Sequence, residues 1–336
     1  MKKSTKKLLS LAVSTVILII IYTQIDFGGL IEVFRECDRL WMAISLGMVI
    51  PITFFSGWRL RQVVPKQVSL DLWEANKLIL AASVLNMVLP SKMGDIAKAY
   101  FMRDQSNITG SLALSIVVFE KACDFLSLLL WCAFGLLLFP VKDAFFVTMT
   151  IAIVAGFILG VFILFSRTIA TLFFGFVRRI APGKIGKKLG VLEDSWGEMQ
   201  RYFWRDRTQL FIITATSIFI WLLHLLQIWF FILALNAWVN PITNLALSPL
   251  AILAGLLPLT FAGVGTRDAA LIVLYQPYFS TATGAALGLL CTSRYLLPAI
   301  GGLLFLNRYL TQLNNKQLNN KQLNNKQLNN KQSKEL

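Results

Sequence analysis

Long apolar runs alternate with short polar segments along the chain, which is the pattern of a membrane protein. Six runs approach or exceed the roughly 20 residues that a helix needs to cross a bilayer. They lie at about residues 8–25, 40–57, 111–139, 144–166, 209–235 and 282–306. The pattern predicts an all-α, polytopic membrane protein with about six transmembrane helices.

Two further apolar segments are interrupted by helix-breaking proline and glycine residues. They are about 72–104, with Pro90 and Gly94, and about 246–276, with Pro258 and Gly263. Irregular backbone at membrane depth requires burial in protein or contact with a water-filled cavity. We therefore interpret each segment as a re-entrant helical hairpin.

The charge distribution predicts an orientation. The chain is 56% hydrophobic and carries a net charge of +15, which in a soluble protein would suggest nucleic acid. Here 26 of the 32 Lys and Arg residues fall on one side when the N-terminus is placed in the cytoplasm. The positive-inside rule then predicts cytoplasmic N- and C-termini. We expect a bacterial-type inner-membrane location, and because the basic residues follow the membrane topology we expect no nucleic-acid partner. The apolar run after the basic residues 1–7 lacks a small-x-small cleavage site, so we expect an uncleaved signal anchor.

In that orientation the two hairpins enter from opposite sides of the membrane. We expect one transmembrane domain over residues 1–310. It would be built as an inverted-topology repeat of about 40–139 and 209–306, the architecture of many transporters.

Two polar segments flank or divide this domain. Residues 167–207 form a basic cytoplasmic loop, which fits either an amphipathic helix on an anionic membrane surface or a topology determinant with interfacial aromatics. Residues 311–336 repeat Gln-Leu-Asn-Asn-Lys, and we expect disorder because so little apolar surface cannot pack.

Charged residues inside the apolar segments are the candidate functional groups, because a charge at the bilayer centre costs about 2.5–3.5 kcal/mol on insertion scales. Glu120 and Asp124 share one helix face. A purely structural salt-bridge network is the alternative, although buried pairs are often no better than apolar replacements. The candidate substrate-binding residues are Asn86, Pro90, Lys92, Gly94, Asp95, Glu120, Lys121, Asp124, Pro258, Gly263, Gly265, Arg267, Asp268 and Arg294.

The second hairpin has features of an anion site. Gly263 and Gly265 lack a Cβ, so backbone N–H groups there can approach a ligand closely. A half-helix starting near Thr266, with Thr266 as its N-cap, would point its positive end into the membrane. Arg267 beside that end would strengthen phosphate binding.

The sequence gives no sign of catalysis, a metal or a cofactor. It contains no Ser-His-Asp set, metal-ligand cluster or phosphate loop. Its four cysteines, Cys37, Cys123, Cys132 and Cys291, form no CxxC pair and predict neither disulfides nor a zinc site. The single histidine, His224, is interpreted as a polar contact between helices.

Three motifs resemble the membrane region of lysylphosphatidylglycerol synthases, which also occurs in stand-alone flippase-like proteins. They are Asn86-x3-Pro90-x3-Gly94-Asp95, Phe119-Glu120-Lys121-x2-Asp124 and Pro258-x4-Gly263-x-Gly265-x-Arg267-Asp268. The resemblance covers about residues 8–310 and implies a lipid-translocating module without the soluble domain that attaches lysine. The family often has Glu at the positions of Asp95 and Asp268.

Three functions follow from these observations. The first is a transporter that moves a lipid or lipid-linked anionic intermediate, such as a phospholipid or polyprenyl phosphate, between leaflets. The second is a membrane scaffold for a separately encoded aminoacyl-phospholipid synthase. The third is a non-transporting assembly protein whose charges only fix helix packing.

Overall fold

The structure is a computed structural model of the 336-residue chain. It describes residues 27–64, 70–88, 94–95, 98–99, 101–102, 109–180, 184–257 and 265–332, with side chains as far as Asn307.

Helices, and no strands, make up the regular structure of these described residues. The helices are α1 Phe27–Arg35, α2 Arg39–Gly47, α3 Val49–Val63, α4 Leu72–Val88, α5 Gly110–Leu138, α6 Ala144–Phe165, α7 Arg167–Ile180, α8 Lys184–Phe203, α9 Arg207–Ala234, α10 Pro241–Leu256, α11 Thr266–Tyr275 and α12 Thr281–Gln332. The all-α prediction is confirmed.

Five stretches of the described helices are long and apolar enough to cross a membrane. They are Arg39–Val63, Leu112–Leu138, Ala144–Phe165, Arg207–Ala234 and Thr281–Asn307. Each matches a predicted span, the first being α2 and α3 joined at Met48. The predicted span 8–25 lies outside the described residues.

Polar caps determine where the spans begin. The side chains of Asp38, Thr109, Asp143 and Asp206 each accept hydrogen bonds from backbone N–H groups in the first turn of α2, α5, α6 and α9. Such caps satisfy N–H groups that have no partner within the helix. Polar residues at the span boundaries therefore end the apolar runs and also stabilise the helices that follow.

The interrupted segments form shorter helices around a break. The first contains α4 and helical residues at 94–95, 98–99 and 101–102. The second contains α10 and α11, which pack against each other. Pro90, Lys92, Pro258 and Gly263 lie outside the described residues, and re-entry into the membrane stays a prediction.

Each interrupted segment packs on the last span of the opposite half of the chain: α4 lies along α12, and α10 lies along α5. Glycine permits both contacts. A Cβ at Gly302 would overlap the Leu80 carbonyl, and a Cβ at Gly135 would overlap the backbone of Leu245 and Ala246. The two halves are thus tied together by a matching pair of close helix contacts.

Residues 167–207 are largely helical. Ala170 and Phe174 of α7 pack towards Trp196 of α8 and the end of α6. The opposite side of α7 exposes Leu172 and Phe176. Apolar side chains therefore lie on both sides of this helix.

The repeat-containing tail is drawn as a continuation of the last span, and its disorder stays a prediction. Helix α12 continues through Gln332, across most of residues 311–336. The repeat contains no proline or glycine, and Gln, Leu and Lys are good helix formers. Low apolar content argues against packing, but it does not prevent a helix from continuing out of a span.

Candidate functional site

A cavity of about 300 Å³ lies between α3, α4, α5, α9 and α12. It brings charges from both halves of the chain together. Its charged lining residues are Arg59, Asp95, Lys98, Glu120, Lys121, Asp124 and Arg294.

Two of these charges, Glu120 and Arg294, lie well inside their spans. At about 1.5 Å rise per residue, Glu120 is about 15 Å from the start of α5 at Gly110. By the same measure, Arg294 is about 20 Å from the start of α12 at Thr281. These two side chains therefore reach the cavity from the inner part of helices that are long and apolar enough to cross a membrane.

The first half of the chain contributes a buried ion-pair network. Arg59 donates through Nη2 to Glu120 Oε1 at 2.9 Å and through Nη1 to Asp124 Oδ1 at 2.5 Å. Its Nη1 also donates to Ser217 Oγ on α9 at 3.0 Å. Lys98 donates to the other Glu120 oxygen. Glu120 thus bridges two cations, and all three side chains are buried.

Lys121 forms a looser and more accessible part of the network. Its Nζ lies 3.3 Å from Asp95 Oδ2 and 3.3 Å from Asp124 Oδ2. The Lys121 side chain is 48% exposed, whereas those of the two aspartates are 16% and 18% exposed. A half-exposed cation at mid-span indicates that the cavity is open to its surroundings at this point.

The second half contributes Arg294, whose donors are incompletely used. Its Nη2 contacts His224 Nδ1 on α9 at 2.7 Å, while Nε and Nη1 are buried without a hydrogen-bond partner. Among the described residues, none of the carboxylates lies within 4.0 Å of its nitrogens. Tyr295 lies beside it, with its ring centroid 6.0 Å from the guanidinium carbon. Arg294 is therefore a cation at the cavity whose Nε and Nη1 donors are available to a ligand.

Arg267 and Asp268 lie behind the cavity wall and are not among its lining residues. Arg267 donates to Asp268 Oδ1 through Nε at 2.8 Å and through Nη2 at 2.6 Å. Its Nη2 also donates to the Gly288 carbonyl at 3.1 Å and to Thr292 Oγ1 at 2.8 Å. This pair fastens α11 to α12 and supports Thr292, which does line the cavity.

The start of α11 differs from the sequence interpretation. Gly265, and not Thr266, is the N-cap residue. Its φ of 99° is a conformation that glycine adopts without strain. The Gly265 N–H donates to Asp268 Oδ2 at 3.4 Å. Asp268 therefore closes this helix start, a position where a bound anion had been expected.

The structure brings six of the predicted site residues to the cavity wall: Asn86, Asp95, Glu120, Lys121, Asp124 and Arg294. Gly94 supports the site from behind, because a Cβ there would overlap the Ala82 carbonyl and the Asn86 backbone. The predictions for the four residues in the undescribed breaks are not tested.

Sequence reasoning missed Arg59 and Lys98 at the cavity and His224 as a lining residue. The predicted span ended at residue 57, so Arg59 was counted among the cytoplasmic basic residues. One signal could have found it: three carboxylates in the first half had only Lys121 as an intramembrane partner. His224 does make the predicted contact between helices, and its partner is Arg294.

The cavity offers no obvious metal site. Across the described ranges, no group of three or more His, Cys, Asp or Glu side chains is arranged to hold a metal ion. The four cysteines are free.

These features define an integral, polytopic membrane protein with a charged cavity between its spans. The chain belongs to the family described as "Lysylphosphatidylglycerol synthase TM region", which it matches over residues 7–302. A relative named "UPF0104 membrane protein" from Methanothermobacter thermautotrophicus is 21% identical over 269 residues, covering 74% of this chain and 79% of the relative. The family is a membrane domain of the lysylphosphatidylglycerol synthase type.

Proposed function

We propose that this protein transports a lipid with an anionic phosphate headgroup, either a phospholipid or a polyprenyl phosphate, between the leaflets of the membrane. One observation carries the proposal: two buried nitrogens of Arg294, Nε and Nη1, have no hydrogen-bond partner, and Arg294 lines the cavity at mid-span. Buried donors without partners are unfavourable. A guanidinium is well suited to bind phosphate oxygens through two parallel hydrogen bonds.

The charge of the cavity supports an anionic ligand. Four cations and three carboxylates line it, so it carries one excess positive charge when His224 is neutral. A phosphodiester headgroup brings one negative charge and balances this excess. A cationic aminoacylated headgroup would increase it.

The accessible position of Lys121 supports a route for the lipid. A charge at the centre of a bilayer is unfavourable by about 2.5–3.5 kcal/mol on insertion scales. A phosphate passing Lys121 would offset that cost, while the acyl chains stay in the bilayer. The phosphate would replace the 3.3 Å contacts of Lys121 with Asp95 and Asp124.

The exchange of packing partners between the halves supports alternating access. Helix α4 of the first half packs on α12, and α10 of the second half packs on α5. This reciprocal arrangement is what an inverted repeat would produce. A rocking of one half against the other would then expose the cavity to each side in turn.

Leaflet exchange of a labelled phosphatidylglycerol in proteoliposomes tests this function. We expect the unmodified protein to accelerate exchange and Arg294→Ala to reduce the acceleration at least tenfold. Arg201→Ala is the matched control, because Arg201 is an exposed residue of α8 outside the cavity. Equal exchange by Arg294→Ala and Arg201→Ala would refute the site. Proteoliposomes that exchange lipid no faster than empty vesicles would refute the function.

A further inference from the structure

We infer that His224 binds a proton together with the anionic headgroup, so that proton binding and lipid binding are coupled in this cavity. The inference rests on the proposed function and deepens it by naming the co-bound ion. It is carried by the contact between His224 Nδ1 and Arg294 Nη2 at 2.7 Å, inside a cavity that both residues line.

The chemistry of this contact specifies a protonation state. A guanidinium remains charged in proteins and can only donate. His224 Nδ1 must therefore accept the hydrogen bond, which places the imidazole proton on Nε2 and leaves the ring neutral. The structure thus shows the arrangement that holds one of Arg294's donors away from a ligand.

Protonation would reverse this arrangement. A proton from water would bond to the Nδ1 lone pair, and the ring would become a cation with two N–H donors. Two positive groups 2.7 Å apart no longer form a hydrogen bond, so Arg294 Nη2 is released. Arg294 would then offer three sets of donors to a phosphate, and the imidazolium would add its own charge. An anion and a proton therefore favour each other's binding.

The carboxylates that share the cavity with His224 are already paired with cations. Arg294 contacts the histidine from α12, Tyr295 of the same helix lines the cavity, Arg39 is the single ionisable residue of α2, and α10 carries none. The remaining ionisable residues of the cavity wall, from α3, α5 and the segment after α4, are Arg59, Asp95, Lys98, Glu120, Lys121 and Asp124. Every carboxylate in that set already pairs with at least one cation. Protonating any of these carboxylates would therefore break an ion pair within the cavity.

The coupling predicts a specific pH dependence. Histidine is the side chain whose charge ordinarily changes between pH 5 and 8. A phosphodiester keeps one negative charge throughout that range, so any change in affinity comes from the protein. Affinity should be highest at acidic pH, where the ring is charged, and should fall as pH rises, by up to about tenfold per pH unit.

The chain allows a clean test because His224 is its single histidine. The protein should be purified through a tag without histidine, and its imidazole labelled with carbon-13. Calorimetric titration with a short-chain phosphatidylglycerol from pH 5.5 to 8, in buffers of different ionisation enthalpy, counts the protons taken up. We expect uptake approaching one proton per lipid near pH 8, and a change in the histidine NMR signal from neutral to charged on lipid addition.

Two variants separate the histidine from the carboxylates. His224→Gln can still accept from Arg294 but cannot take a proton, so its affinity should be independent of pH and close to that of the unmodified protein at pH 8. Asp95→Asn removes a titratable carboxylate of the same cavity and should keep the pH dependence. Loss of the dependence in Asp95→Asn, or its persistence in His224→Gln, would overturn the inference.

The outcomes distinguish proton coupling from the proposed lipid transport. Lipid binding that depends on Arg294 but shows no proton uptake at any pH would overturn the coupling and leave the transporter proposal standing. Absence of lipid binding at every pH would overturn both. The NMR measurement on the unmodified protein decides the protonation question even if His224→Gln fails to fold.

Discussion

Replacing Glu120 by Gln is the most informative perturbation of the buried network, because this one carboxylate holds two cations. Glu120 is 2% exposed, and its partners Arg59 and Lys98 are 3% and 1% exposed. Gln keeps the size of the side chain and one oxygen acceptor but removes the charge. Arg59 and Lys98 would then lose the negative charge that both of them pair with in the unmodified protein.

The expected effect can be worked out from the remaining partners. Arg59 retains Asp124 at 2.5 Å. Within the described part of the chain, Lys98 forms its ion pair with Glu120 alone. Removing one partner of a buried pair typically destabilises a protein by about 3–5 kcal/mol, because a buried charge is left uncompensated. We therefore expect Glu120→Gln to lower the free energy of unfolding by about that amount.

A second substitution tests whether the stranded charge is the cause. Lys98→Met combined with Glu120→Gln removes that charge and keeps the side-chain volume, and apolar replacements of buried pairs are often neutral. We expect the double variant to recover to within about 1 kcal/mol of the unmodified protein.

Thiol reactivity offers the assay in a background in which the partly exposed Cys37 is replaced by Ser, because Cys123, Cys132 and Cys291 are buried in the folded protein. Denaturant titrations in detergent or nanodiscs, followed with a thiol-reactive fluorophore, give the three stabilities. The reasoning is refuted if Glu120→Gln is as stable as the unmodified protein, or if the double variant is less stable than the single one.

Two further substitutions test the helix contacts around the cavity. Gly302→Ala should disturb the packing of α4 against α12, lower stability by about 1–3 kcal/mol and slow leaflet exchange. Gly301→Ala is the control, because its methyl group would meet no atom closer than 4.0 Å and should change neither property. Equal effects of the two variants in thermal unfolding would contradict this. Pro298 leaves the Arg294 carbonyl without its helical N–H donor. Pro298→Ala should restore this bond, which should raise the unfolding temperature and slow leaflet exchange by stiffening α12 at the cavity. Faster exchange in this variant would contradict a role for Pro298 as a hinge in α12.

The spans could be predicted because their determinants are local. A run of apolar side chains, a polar cap such as Asp143 and a proline or glycine break are all visible within a short window of sequence. The interrupted segments could be predicted in the same way, and the structure has helical residues on both sides of each break. A short window of sequence does not show which segments pack against each other.

The site depended on that tertiary packing. Arg59 meets Glu120 across 61 residues of chain, and a span that continues to Val63 turns an apparent loop residue into a cavity residue. Arg267 and Asp268 failed to reach the cavity for the converse reason. They are adjacent in sequence, and they bond to each other and to the Gly265 N–H at the start of α11.

Native mass spectrometry of the protein released from its membrane tests the central claim most directly, because it asks whether Arg294 holds an anionic lipid. The account predicts a bound anionic phospholipid or polyprenyl phosphate on the unmodified protein and on Arg201→Ala, and its loss from Arg294→Ala. The same lipid retained by all three proteins, or none on any of them, would contradict it.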